Sequence, residues 1–235
     1  MDVQKEHNLN GYPTVISYEC TKKIIEQMDK NICRIKIDNI QCTGFFCKIP
    51  FPDHNKILPV LITSSHVINE EFLNKDDAKI VLEIGSNPNV KELNLKDKNK
   101  IIYTNSDYDI TLIELKAEDN ISDFLELDDI IVDDIISGKN KNEIFIEENI
   151  YILEYVKGEL NYSTGILRNI YEDNKYHFIH TCGTGNGSGG SPILNVKTNR
   201  VIGLHHSSVM SKRYGRGTFL NYPLKEFISI FIKQK

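Results

Sequence analysis

The sequence predicts an all-β chain, a sandwich or a barrel, on three observations. Short apolar runs recur at intervals of about ten to fifteen residues, many of them β-branched or alternating with period two, and turn residues divide them. NICRIKI, TGFFCKI, ILPVLITSSHVI, KIVLEI, KIIYTN and DITLIEL occupy the first half; NIYILEY, TGILRNIY, YHFIHT, SPILNV, RVIGLHH and GTFLNY occupy the second. A chain of βαβ units would place long helical periods between such runs, and here none intervenes.

Each remaining element has its own signal. Residues 1–16 read as a loose leader. SYECTKKIIEQMDK, 17–30, carries good helix formers with Ile24, Ile25 and Met28 on one face, and Ser17 or Thr21 can cap it. This helix is expected to cover one end of a barrel. Residues 117–140 are acidic and weakly periodic, and read as a connection between two halves. The tail YPLKEFISIFIKQK reads as a short amphipathic helix starting near Pro223.

Composition excludes several classes. The 235 residues are 40% hydrophobic and 26% charged, ordinary for a globular protein, with a net charge of −5. No basic block points to nucleic acid, and no apolar run is long enough to span a bilayer. The five cysteines are odd in number and lack framework spacing, so no disulfide scaffold is expected. The first residues carry charges where a signal peptide has an apolar core, and a reducing, cytoplasmic setting is expected.

Three segments can carry chemistry. Leu61-Ile-Thr-Ser-Ser-His66 closes an apolar strand on a histidine, whose ring would emerge at a barrel rim. Ser106-Asp107-Tyr-Asp109 precedes the strand ITLIEL; Asp109 can sit buried against an imidazole and fix its tautomer, with Asp107 as the competing carboxylate. The third, Gly183-Thr184-Gly-Asn-Gly187-Ser188-Gly189-Gly190-Ser191-Pro192, is a glycine-rich loop running into a strand, whose amides can converge on an oxyanion or a phosphate. The lysine of a phosphate loop is missing, and no helix follows directly. A zinc site from His180, Cys182, His205 and His206 matches no usual ligand spacing, and no metal or organic cofactor is expected.

The order histidine, aspartate, glycine loop resembles the trypsin-like peptidase superfamily, in particular its intracellular, disulfide-free branch. TGFFCKI and LPVLITSSHVI resemble its glycine-strand and histidine segments, DITLIEL its aspartate segment, and GSGGSPILN its nucleophile loop. The resemblance runs from about Cys33 to Tyr222. It implies two six-stranded β-barrels with an N-terminal and a short C-terminal helix: 1–31 leader and helix, 32–120 the first barrel with His66 and Asp109, 121–235 the connection, second barrel and last helix. It implies a serine endopeptidase acting on a protein or peptide, with His66 as base, Asp109 as its orienter, and Gly187 and Gly189 as oxyanion donors. A regulatory partner or a larger parent polypeptide would restrain such an enzyme.

The nucleophile position departs from the family pattern. Aligned on Ser191-Pro192 it falls on Gly189, which has no hydroxyl; aligned on the first serine it is Ser188, with one extra residue before the proline. Proteases that select Glu or Gln carry a threonine five residues before the nucleophile, and Thr184 stands five before Gly189. With His205, Thr184 resembles the specificity pocket of glutamyl endopeptidases and viral 3C-type proteases. Two outcomes stay open: an acylating site, or a catalytically dead fold that serves as a binding or regulatory module.

Overall fold

The computed structural model describes residues 15–38, 40–53, 55–209 and 214–233. The expected leader therefore lies almost wholly outside the described residues. Helix α1 (Tyr18–Lys30) starts on Ser17, whose hydroxyl accepts the Cys20 amide at 3.1 Å. Its buried face differs from the apolar stripe expected: Ile24 and Gln27 are buried, whereas Ile25 is half exposed. Gln27 faces inward because its amide has partners there, donating to the Asn199 carbonyl and accepting from the buried Tyr151 hydroxyl.

The first half is an antiparallel sheet of β1 (Ile32–Ile37), β2 (Ile40–Pro50), β3 (Ile57–Thr63), β4 (Lys79–Ile84), β5 (Asn89–Asn94), β6 (Ile102–Asn105) and β7 (Ile110–Glu114). A short helix, α2 (Glu70–Leu73), lies between β3 and β4. The strands run in the order β5-β4-β1-β2-β3-β7-β6, and an eighth, β8 (Leu125–Glu126), adds parallel to β2. This half thus carries eight strands rather than six. Within the acidic connection, IIVDDIIS folds as α3 (Asp129–Ser137), capped by the Asp128 carboxylate on the Ile130 amide and stopped at Gly138 in the left-handed region.

The second half is a closed six-stranded barrel of β9 (Asn149–Val156), β10 (Glu159–Ile170), β11 (His177–His180), β12 (Pro192–Asn195), β13 (Val201–Val209) and β14 (Tyr214–Phe219), in the order β10-β11-β14-β13-β12-β9. Helix α4 (Asn221–Lys233) closes the chain and packs on α3. The two-part all-β architecture with a helix at each end matches the expected double-barrel class.

Strict alternation fails where the halves meet. All six residues Cys42–Cys47 of β2 are buried, as are Ile150–Tyr155 of β9, because each strand is covered on both faces. Phe46 enters the core inside the first sheet; Phe45 and Cys47 enter a larger core reaching into the second barrel. Burial on that scale fixes the relative placement of the two halves, and the chemistry-bearing segments lie along their seam.

Candidate active site

His66 leaves β3 on a tight turn, with the Val67 and Ile68 amides donating to the Ser64 carbonyl. Its ring stays about half exposed. Asp109 comes from the β6–β7 turn, where its backbone takes φ +50 just ahead of the buried strand. Its carboxylate makes three contacts: Oδ2 with His66 Nδ1 at 2.8 Å, and Oδ1 with the His66 amide at 2.9 Å and the Ser65 hydroxyl at 3.1 Å. Asp107, the rival carboxylate, is exposed and touches the turn only through its backbone.

The electrostatics follow from that pairing. The hydrogen bond His66 donates to Asp109 raises the His66 pKa above its usual value; burial works against it, and the aspartate charge adds to the rise. Burial pushes the Asp109 carboxyl up, but the hydrogen bonds and charge of His66 outweigh it, and the net direction is down. Such a ring can accept a proton at Nε2 while the carboxylate holds Nδ1–H.

The glycine loop is folded against this pair. Gly187 and Gly190 have φ of +104 and +87, and a Cβ on them would lie 2.5 Å from the Tyr155 carbonyl and 2.1 Å from the Thr43 carbonyl oxygen. Only glycine fits there. Gly189 is different: a Cβ added to it would lie 3.0 Å from His66 Nε2, with no positive φ to strain it. Ser188 turns the other way. It is buried, its hydroxyl accepts the Gly185 amide at 2.8 Å, and it lies beside the Glu154 carboxyl. Among the described residues the Gly187 and Gly189 amides have no acceptor.

Thr43, which the sequence reading passed over, holds the loop in place. Its amide donates to the Gly189 carbonyl at 3.0 Å, and its hydroxyl donates to the Gly187 carbonyl and accepts from the Tyr155 amide, each at 2.9 Å. Only its neighbour Gly44 carried a sequence signal.

Thr184 Oγ1 lies 2.5 Å from Ser208 Oγ on β13, the strand that also carries His205. No hydrogen bond joins Thr184 to His205 directly among the described residues. His205 is buried, with Nδ1 3.0 Å from Nε2 of buried His180. Burial drives both rings to the neutral form; His180 is lowered to about 3, and His205 falls well below its usual value, with the His180 and His206 rings adding to the effect. His180 Nδ1 has no partner among the described residues, and a hydrogen bond between His205 and the Arg216 backbone opposes the fall at His205. No three His, Cys, Asp or Glu side chains gather into a metal-binding group among the described residues.

An imidazole–carboxylate pair, amides without acceptors and a glycine turn at the seam of two β-units define the class of chymotrypsin-like hydrolases. The family described as "Trypsin-like peptidase domain" matches residues 42–204, more than half of the sequence, and the chain belongs to it. No curated protein matches it in sequence. Among solved structures it resembles a serine endoprotease from Yersinia pestis, with TM-score 0.61 and 12% identity over 93% of this chain and 68% of that one. A Glu endopeptidase gives TM-score 0.61 and 14% identity over 91% and 94% of the two chains. Tobacco etch virus protease with product gives 0.56 and 15% over 98% and 87%. At such identities the likeness is one of fold. No helix among the described residues is long and apolar enough to cross a membrane, and all five cysteines are free.

Proposed function

We propose that this site is laid out for peptide-bond hydrolysis through an acyl-enzyme, that the nucleophile position is 189, and that with glycine there the chain binds peptides without acylating. The carrying observation is the 3.0 Å from a Cβ at residue 189 to His66 Nε2, against a Ser188 hydroxyl bonded to the Gly185 amide. With serine at 189, His66 Nε2 takes the hydroxyl proton as Oγ bonds to the scissile carbon, and returns it to the amine as the C–N bond breaks. Asp109 holds Nδ1–H, and the Gly187 and Gly189 amides donate to the oxyanion. Water then attacks the ester by the same route and releases the acid.

The residue before the scissile bond would meet a polar pocket. Thr184 and Ser208 hydroxyls and a neutral His205 imidazole suit a glutamate or glutamine side chain, which offers acceptor oxygens. A buried neutral imidazole donates without repelling or neutralising either one.

A fluorophosphonate probe tests the nucleophile. The present chain takes no label, Gly189→Ser takes label, and Gly189→Ser with Ser188→Ala still takes it. Labelling of the unaltered chain that disappears on Ser188→Ala overturns the assignment. For specificity, peptides ending in Glu or Gln are expected to bind the unaltered chain at least about tenfold more tightly than peptides ending in Leu or Lys, about 1.4 kcal/mol. Equal affinities by calorimetry would reject the pocket.

A further inference from the structure

We infer that Glu226, on the C-terminal helix α4, is a positioning residue for the His66–Asp109 pair; the inference rests on the reading of that pair given above. Asp109 sits in the left-handed region at φ +50, which an aspartate adopts more readily than most residues but which its turn must still hold. The turn that imposes it runs from Asn105 to Asp109. Asn105 Oδ1 accepts the Asp107 amide at 2.9 Å and the Tyr108 amide at 3.3 Å, and the Asp109 amide donates to the Ser106 carbonyl at 3.2 Å.

The turn therefore depends on which way the Asn105 amide group faces. Glu226 Oε1 decides this, because it accepts the Asn105 side-chain NH2 at 2.8 Å and the Tyr103 hydroxyl at 3.0 Å. A carboxylate accepts only, so the nitrogen of Asn105 must face α4, and its oxygen is left for the two turn amides. From the other side the Thr218 hydroxyl donates to the Tyr108 carbonyl at 3.0 Å. A side chain at the far end of the sequence thus sets the backbone that aims a carboxylate at His66, without touching the imidazole.

The unaltered chain supplies the test. The proton shared by His66 Nδ1 and Asp109 should give a far-downfield NMR signal that Asp109→Asn removes. Glu226→Ala is expected to speed its exchange with solvent roughly tenfold, of the order set by losing one buried hydrogen bond. Glu226→Gln, which keeps an acceptor oxygen, should restore it. Lys225→Ala, on the same helix but bonded to Lys139 and Asn140, should leave it unchanged. If Glu226→Ala does not fold, Asn105→Ala carries the test with the same expected loss. A folded Glu226→Ala or Asn105→Ala protein with an unaltered signal overturns the inference alone. No such signal in the unaltered chain, or one that survives Asp109→Asn, overturns the His66–Asp109 reading and the inference with it.

Discussion

The two sides of the cleft are preserved to different degrees. On the first-sheet side, His66 and Asp109 are joined by side-chain and backbone hydrogen bonds. On the second-barrel side the loop has its turns and its free amides, yet residue 189 contributes no side chain toward His66 Nε2. On the function proposed above, the departure from a complete hydrolase is confined to one Cβ and what it would carry.

Restoring that side chain should have the largest effect. Gly189→Ser should raise peptide hydrolysis by about 10⁴-fold or more, in line with the loss on removing a triad member. The 3.0 Å gap is tight, but His66 is half exposed and can shift by a few tenths of an ångström. No gain in hydrolysis with a folded protein would mean that the second-barrel side is misarranged as well. Adding His66→Ala to Gly189→Ser should then remove nearly all the gain, since base and nucleophile act as a unit.

Smaller effects are expected on stability. Thr43→Val leaves the Gly187 carbonyl and the Tyr155 amide without partners, and should cost about 2–4 kcal/mol in urea unfolding. Glu154 lies under the loop, where burial raises its carboxyl from 4.5 to about 6, with the Ser188 and Ser163 hydroxyls opposing. The folded state thus prefers the protonated acid: that contribution is complete below pH 4.5 and is lost as the pH rises through about 6. Glu154→Gln should therefore stabilise by about 2 kcal/mol above pH 6 and by almost nothing at pH 4. A pH-independent difference would reject the assignment.

Much of this was legible in the sequence, for identifiable reasons. His66, Asp109 and the glycine loop are short-range signals: a polar residue ending or starting an apolar strand, and glycines where no Cβ fits. What stayed hidden depends on contacts between distant segments. Thr43 is an ordinary strand residue until the two halves meet, and Ser208 is one until the glycine loop brings Thr184 to it. Gln27 reads as the polar side of α1 until Tyr151 and Asn199 arrive to satisfy it. Helix α3 was masked by its acidic surroundings, and shows itself only through the Asp128 cap and its packing on α4. Spacing favoured Gly189 over Ser188, through Ser191-Pro192 and through Thr184 five residues earlier, but a one-residue shift in a glycine-rich turn kept Ser188 open.

Thr43 has a consequence for how the molecule comes apart. Its amide, hydroxyl and carbonyl all bridge to other segments, the carbonyl accepting from Thr63 at 2.9 Å. Prising the halves open would tear the glycine loop from its mooring in the same movement. Loop and seam should accordingly lose their amide protection together, as one cooperative block, while peripheral hairpins such as β4–β5 fray independently.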